Sequence, residues 1–515
     1  MLVHIFGAKC IGIDAVKVTV EVDITMGIGI HLCGLGDIAV KESLLRTITA
    51  LQSLNYHIPG KKIVINLAPA DLHKSGSGYD LPIAIGIIAA SQQRTLPLLG
   101  ETLVMGELGL DGSVRPIKGG LPIADFAAKN GFKKCILPYS SALEASGMDG
   151  IDVYGIRSLE DAFGILEGKE EFDSLRVNTA DFDFSREEQP ISYEVDFSDI
   201  IGQEGAKRAM EIAASGGHNI IMIGAPGSGK SSMAKALAGI LPPMSKEESF
   251  TCSKIYSIAG LGDLSKGLMR NRPYRSPHYS ASMAAIIGGG GGSDNIIPGE
   301  VTLAHQGVLF LDEFNMMPKS VLESLRAPLE DRKVIISRLR SKVEYPSSFT
   351  LVAAANPCPC GYYGEGERCI CTPGQRQLYF SRLSGPIMDR MDLQVWIHSL
   401  PPEVLRKKTK GESSAQIRKR VLKARERQEQ RFQGSGIHCN SEMTNKQIER
   451  FCALDGECEE LMNDLMSSMS LSMRAYYRII KVARTIADIE GSEKIKSPHL
   501  MEAAGYRFLD KITID

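Results

Sequence analysis

Hydrophobic and polar residues alternate with a period of two over 16–24, VKVTVEVDI, which predicts a half-buried strand. Helical spacing follows over 37–51, and the apolar run 81–90 predicts a buried helix. Short β-rich runs predict strands over 62–67 and 134–137, with a helix over 122–130 between them. Residues 100–117, GETLVMGELGLDGSVRPI, read as a hairpin that turns at Asp111-Gly112. The periodicity then stops. The stretch GKEEFDSLRVNTADFDFSREEQP is acidic and polar, and reads as a linker ending near Pro190. Beyond it helix and strand patterns alternate. A helix is predicted over 204–214, an apolar strand over 219–223 and a helix over 231–240. A second apolar strand falls within 307–314, then a helix over 319–331, a hairpin over 333–345 and a third strand over 349–355. Strands separated by helices predict a parallel α/β sheet. Later periodicity is helical, strongest over 417–432 and 472–490. The expected division is an α/β unit over 1–170, a linker over 171–193, an α/β core with a parallel sheet over 194–398, and a helical domain over 399–515. At 515 residues the chain is long enough for about three such cores.

The chemistry gathers on the middle unit. Residues 219–231, NIIMIGAPGSGKS, run from a strand through G-x-x-x-x-G-K-S into a helix. Gly227 and Gly229 lack Cβ, so the backbone can fold tightly and aim its N–H groups at phosphate oxygens. The helix N-terminus adds a partial positive charge. The expected phosphate cradle is Gly224, Ala225, Pro226, Gly227, Ser228, Gly229, Lys230, Ser231 and Ser232. Within it Lys230 reaches the β- and γ-phosphates and Ser231 holds Mg²⁺. Residues 307–314, GVLFLDEF, put two carboxylates at the C-terminal end of a buried strand, where ligands bind in parallel sheets. Two acids there are costly without a cation or water beside them. Asp312 is the expected second Mg²⁺ ligand, and Glu313 the general base that polarises the attacking water. Asn356 ends the strand over 349–355, where its amide can orient water near a γ-phosphate.

Three arginines are candidates for charge stabilisation. Arg390, in SGPIMDRMDL, lies between two acids. In a lone subunit it is an ion-paired surface residue; in a ring it reaches a neighbour's γ-phosphate. Arg382 is a weaker candidate for the same role. Arg474, near the start of the helix over 472–490, is chosen over Arg478 as a lid arginine that touches the γ-phosphate.

Cys358, Cys360, Cys369 and Cys371 form C-x-C…C-x-C. Four thiolates can bind Zn²⁺ tetrahedrally, although the usual spacing is C-x₂-C; four reduced surface cysteines are the plain alternative. Residues 251–298 form a long insertion with RNRPYRSPHYS and a glycine run. Either its Arg270, Arg272, Arg275 and His278 face an acidic partner, or it is a solvated excursion. Arg338, Arg340 and Lys342 make a basic tip on the hairpin over 333–345. The helix over 417–432 carries seven Lys or Arg against two Glu, which fits a solvated face or a DNA reader.

Charge narrows the picture. Lys and Arg number 59 against 61 Asp and Glu, so any nucleic-acid surface is local. The first residues lack a charged segment followed by an apolar core, which argues against a secretory signal. The longest apolar run, 81–90, contains Pro82 and is too short to span a bilayer. Eleven cysteines without such a signal suit reduced thiols. A cytoplasmic protein without membrane contact is expected.

The ordered set GAPGSGKS, RPYRSPHYS, VLFLDEF, AAANPCPCG, SGPIMDRMDL and SMRAYYRIIKVARTIAD closely resembles the YifB/ComM family of Mg-chelatase-like AAA+ ATPases. NLAPADLHKSGSGYDLPIAIG and GELGLDGSVRPIKGGLPIADFAAKNGFKKCILP resemble the Lon-protease-like (ribosomal S5 domain 2-like) domain that precedes the motor in that family. The resemblance covers nearly the whole chain. It implies a P-loop AAA+ core with a Lon-like domain before it and a helical lid after it. It further implies a homo-hexamer with ATP and Mg²⁺ at subunit interfaces and single-stranded or branched DNA in the pore. The activity implied is branch migration that assists integration of transforming DNA. The segment Ile200, Ile201, Gly202 and Gln203 would lie against adenine, and Arg338–Lys342 with Arg272–His278 would be pore elements. Lon proteases cut with a Ser–Lys pair, whose positions fall here at Gly78 and Pro122, so no acyl-enzyme route is available. Ser75 and Lys74 are out of register, and a shifted Ser77–Lys118 pair is the alternative. Tyr279 stands where many members carry a second histidine. The competing functions are a chelatase motor subunit and a protein-remodelling ATPase or Lon-type protease. The fused Lon-like domain argues against the first, and the missing serine and lysine against proteolysis.

Overall fold

The computed structural model describes every residue except 35, 37, 75, 178–193, 263–266, 291–295, 338–341, 384, 402, 404–410, 470 and 511–515. Ser75, most of the expected linker, and the hairpin tip with Arg338 and Arg340 therefore lie outside the described residues.

The alternating run near the start folds as expected, with Val18, Val20 and Val22 fully buried. It forms β2 (Asp14–Thr25) of a seven-stranded mixed sheet with β1 (Leu2–Ile11), β3 (Ile30–Cys33), β4 (Lys62–Ala68), β5 (Thr102–Val104), β6 (Lys134–Pro138) and β7 (Asp152–Ile156). Their order is β3-β4-β2-β1-β5-β6-β7. Helices α1 (Ile38–Ser53), α2 (Asp80–Ala90) and α3 (Gly120–Lys129) belong to the same unit. The apolar α2 is buried almost all round, and its first residue, Asp80, is held by Arg46 and Ser43. The hairpin expected over 100–117 is narrower than the sequence suggests. Thr102–Val104 is buried throughout and pairs in parallel with β1 and β6. Only Glu107–Leu108 and Val114–Arg115 form a hairpin, around the Asp111-Gly112 turn.

The second sheet is five-stranded and parallel: β8 (Ile220–Gly224), β9 (Tyr274–Arg275), β10 (Val308–Leu311), β11 (Thr350–Ala355) and β12 (Leu393–Ile397). The order is β9-β10-β11-β8-β12. Every residue of β8, β10 and β11 is buried, which explains why they read as unbroken apolar runs. Helices α4 (Glu204–Gly216), α5 (Lys230–Ile240) and α6 (Lys246–Ala259) accompany it. The helix expected over 319–331 is split into Lys319–Ser324 and Arg326–Asp331. Pro328 has no N–H to give to Ser324, so the hydrogen-bond ladder breaks there.

The span 251–298 is not a single excursion. Its first part is the end of α6, capped by Ser245 and Glu248, and it later supplies the edge strand β9. The face of α6 docks the N-terminal unit. Lys254, 6% exposed, lies 2.5 Å from Asp125 of α3 and 3.0 Å from Asp14. Burial opposes that charge, but Asp125 and Asp14 outweigh it and hold the ammonium pKa above its ordinary value. Gly119 donates its N–H to Ser257 O, and Ser257 bonds Glu144.

Helices α7 (Ser414–Phe432) and α8 (Met473–Glu490) share the apolar core of the second sheet, with Ile417, Val421 and Ile479 clustered with Met210 and Leu237. The basic residues of α7 are largely spent internally. Arg420 pairs with Glu211 and Glu412, Arg425 donates to Ala214 O, and Arg431 pairs with Asp488. Among the described residues no helix is long and apolar enough to cross a membrane.

A candidate nucleotide site at one edge of the parallel sheet

Gly224 ends β8, and a Cβ there would collide with the carbonyl of Ile397 on β12. The chain then turns through Gly227 (φ +77°) and Gly229 (φ +92°) into α5. No atom lies within 4 Å of where a Cβ would stand at either position, so these glycines answer a conformational demand and keep the cradle open. Pro226 and Gly227 are exposed, as are Ser231 and Ser232. Lys230 is buried and donates to Gly224 O at 2.7 Å and Ala225 O at 2.9 Å. Burial lowers its pKa, opposed by the Asp312 carboxylate.

The neighbouring strands end beside this loop. Asp312 follows β10 and accepts from Ser231 Oγ at 3.3 Å. Its other oxygen takes the Glu313 N–H at 2.8 Å. Glu313 stands at φ +48°, a left-handed conformation in which no β-branched residue would rest easily. Asn356 follows β11 with Oδ1 3.4 Å from Lys230 Nζ. Gln203, also left-handed at φ +61°, donates to His398 O at 2.7 Å, which brings the 200–203 segment to the end of β12 next to Gly224. Backbone amides, one ammonium, one hydroxyl and the Asp312 carboxylate meet here, with Glu313 next in the chain, a donor set suited to a triphosphate with magnesium.

Arg390 and Arg474 do not join this group. Arg390 precedes β12, is 8% exposed, donates to Pro386 O at 2.6 Å and pairs with Glu330. Its carbonyl accepts from Asn219, the residue before β8, at 3.1 Å. Arg474 is 70% exposed and lies 3.4 Å from Asp389. Both therefore occupy the edge where the parallel strands begin, about 16 Å, one five-residue strand, from the phosphate loop. Arg478 is engaged beside them by the buried Asp392. Burial would raise the Asp392 carboxyl, but Arg478 and then His218 hold it well below the usual range. Arg382 lies on the pocket side, 3.8 Å from Met316 Sδ just past Glu313.

Other singled-out residues have local partners. Arg272 pairs with Glu248 and donates to Gln306 O, and Arg275 pairs with Glu300, so neither is presented to an outside acidic group. His278 bonds Ser280 and packs against the Tyr279 ring, tilted 36° from it at 4.3 Å between centroids. In the N-terminal unit Ser77 bonds Glu107, while Lys118 donates to Ala259 O at 3.3 Å on α6. Those two side chains line a cavity of about 730 Å³ without bonding each other. Pro122 is buried within α3. The sequence reading missed Asn219, whose amide ties β8 to Arg390 and also accepts the Leu351 N–H at 2.9 Å. An amide before a strand carries no period that would mark it.

A nucleotide cradle on a five-stranded parallel sheet, with its helical region sharing the same core, defines a P-loop ATPase of the AAA+ class. Residues 196–405 match the family described as magnesium chelatase, subunit ChlI; residues 20–141 match subunit ChlI of Mg-chelatase, and 411–507 the ChlI C-terminal family. The chain is 42% identical to the uncharacterized protein YifB of Escherichia coli K12, over 98% of this chain and 96% of YifB. It is 40% identical to the competence protein ComM of Haemophilus influenzae, over 99% and 98%. The DNA repair protein RadA of Haemophilus influenzae is 31% identical over 93 residues, 18% of this chain and 20% of RadA. The chain belongs to the YifB/ComM family of Mg-chelatase-like AAA+ ATPases.

Proposed function

We propose that this chain is a DNA motor, a homo-hexamer that uses ATP hydrolysis to drive branch migration during recombination of incoming DNA. The single observation that carries the DNA reading is full-length similarity to a protein named for competence, and the partial likeness to a DNA repair protein points the same way. The ring reading draws on the separation of Arg390 and Arg474 from Lys230. Arginines at the opposite sheet edge from Lys230 suit a role in a neighbour's site, which supports the ring reading.

In this reading the backbone amides of 224–231 and Lys230 hold the phosphates, and Ser231 with Asp312 would hold Mg²⁺. ATP supplies the phosphoryl group that water attacks. Glu313 accepts the proton of that water, Asn356 orients it, and Arg390 and Arg474 from the neighbour balance the charge that develops. Ile201 and Gln203 flank the base. The N-terminal unit serves as a protease-inactive platform, in line with Gly78 and Pro122 at the two dyad positions and with Ser77 and Lys118 each bonded elsewhere. The basic hairpin tip is assigned to the pore.

The test is a branch-migration assay on a three-strand junction, comparing wild type with Glu313→Gln, alongside ATPase rates with and without single-stranded or branched DNA. DNA stimulation and migration by wild type alone are expected. A purified oligomer that neither binds DNA at low salt nor is stimulated by it would sink the reading. It would favour instead a chelatase-type motor, the activity named in the matched family descriptions.

A further inference from the structure

Immediately after Asn356 the chain enters the four-cysteine segment. The sulfurs of Cys358 and Cys360 are 3.3 Å apart, and Cys369 lies 3.7 Å from each. All four ligand sulfurs, Cys371 included, fall within 4.8 Å of one another. A tetrahedral zinc site with Zn–S near 2.3 Å has S···S edges of about 3.8 Å, close to these spacings. The Cys360 N–H points at Cys371 Sγ at 3.4 Å. Such N–H···S contacts orient thiolate ligands from outside the coordination shell.

A second contact ties this knot to the phosphate loop. Gly361 has φ +84°, and a Cβ there would lie 2.8 Å from Cδ and 3.0 Å from Cγ of Pro226. On the opposite flank a Cβ on Gly364 would lie 2.9 Å from the Trp396 ring, which Tyr363 meets edge-on at 6.2 Å. Glu365 accepts the Ser399 N–H at 2.9 Å. The cysteine segment is thus wedged between the phosphate loop and the end of β12.

We propose that Cys358, Cys360, Cys369 and Cys371 bind one zinc ion, and that the closed knot presses Gly361 against Pro226 to fix the shape of the phosphate loop. The inference rests on the reading of residues 224–231 as the ATP site. Coordination exchanges four thiol protons, released to solvent, for one Zn²⁺, with no change of oxidation state. Zinc acts here as a positioning element. It sets nucleotide affinity from behind the loop without touching the nucleotide.

The test uses the full-length chain. Metal content is measured by mass spectrometry, Co²⁺ replacement by the thiolate-to-cobalt absorption band, and binding by a fluorescent ATP analogue. Trp396, the single tryptophan of the chain, reports the knot directly. One zinc per chain is expected. Chelation should weaken nucleotide binding at least tenfold and shift Trp396 emission, and added Zn²⁺ should reverse both. Gly361→Ala should keep its zinc yet bind the analogue more weakly, which separates the contact with Pro226 from metal-dependent folding. Absence of zinc together with absence of a cobalt band would overturn the proposal, as would zinc whose removal leaves nucleotide affinity unchanged. Zinc-loaded wild type that binds no ATP analogue would instead bring down the nucleotide-site reading beneath it, whereas a Lys230→Ala variant that loses the analogue and keeps zinc would uphold that reading.

Discussion

The Nζ of Lys230 lies 3.4 Å from Oδ1 of Asn356 although 126 residues separate them. Lys230 opens the helix after β8, and Asn356 follows β11, the strand hydrogen-bonded directly beside β8. Strand order alone brings the two together. Asn356→Ala is expected to leave nucleotide affinity within a few-fold and to lower kcat on the order of 10²-fold, the size expected for one lost polar group at a reacting centre. Lys230→Ala is expected to abolish binding itself. Equilibrium binding beside steady-state turnover checks both, and equal losses of binding in the two variants would refute the division of roles.

Arg390 and Arg474 share the far edge of the sheet through Asp389, which precedes one and pairs with the other. Subunits carrying Arg390→Ala, inactive alone, are expected to regain partial ATPase activity when mixed with Lys230→Ala subunits. Arg474→Ala should behave the same way. Because Arg390 also pairs with Glu330, thermal unfolding of each variant is measured in parallel. Mixed rings with no recovered activity and unchanged melting would remove both residues from the neighbouring site.

Lys254 joins the N-terminal unit to the motor by standing between Asp125 and Asp14. Lys254→Met leaves Asp125, 7% exposed, with Lys129 at 2.9 Å as its remaining cationic partner. Leaving a buried charge unpaired costs about 3–5 kcal/mol, and the retained Lys129 pair puts the expected cost below that range. The variant is expected to melt lower and to be cut faster by protease between the two units, while its isolated phosphate-loop chemistry stays intact. Unchanged melting would show that the apolar contacts of α6 suffice.

His305 is buried, which pushes its ring down to about 4, and its Nδ1 accepts the Ser348 N–H at 3.1 Å. In the unfolded chain the ring titrates near ~6.5. The unfolded state therefore binds the extra proton between these values. Stability from this group is complete above ~6.5 and falls as the pH drops towards 4, by up to ~1.4 kcal/mol per pH unit. Denaturant titrations at pH 7 and 5 should show this loss, and His305→Asn should flatten it.

Much of the fold is visible in the chain because β8, β10 and β11 are short apolar runs with the pocket residues at their ends, whereas β12, LQVWI with Gln394 buried in it, has no such run and went unpredicted. Lys230, Asp312, Glu313 and Asn356 are legible for that reason: their positions follow from where periodicity stops. Arg474 was harder. Its place at the start of an amphipathic helix is readable, but the edge of the sheet on which that helix begins is set by tertiary packing against Asp389. The span 251–298 reads as an insertion because β9 is only two residues long, too short for any period, and because α6 mixes in Lys254 and Ser257, which serve the N-terminal unit. Thr102–Val104 reads as part of a hairpin because a nearby Asp-Gly turn is a strong local signal, whereas its parallel partners lie far off in sequence.

The strand that carries the phosphate loop bonds only to strands made later. β8 ends at Gly224, while its two neighbours end at Ala355 and Ile397. At roughly 5–20 residues per second of synthesis, the loop leaves the ribosome roughly ten seconds or more before its second neighbour. All seven strands of the first sheet have emerged by residue 156, so the N-terminal unit can be complete while the motor is still an open chain. A nascent or truncated chain that stops short of Thr350 holds the full phosphate-binding sequence and has neither neighbouring strand on which to seat it.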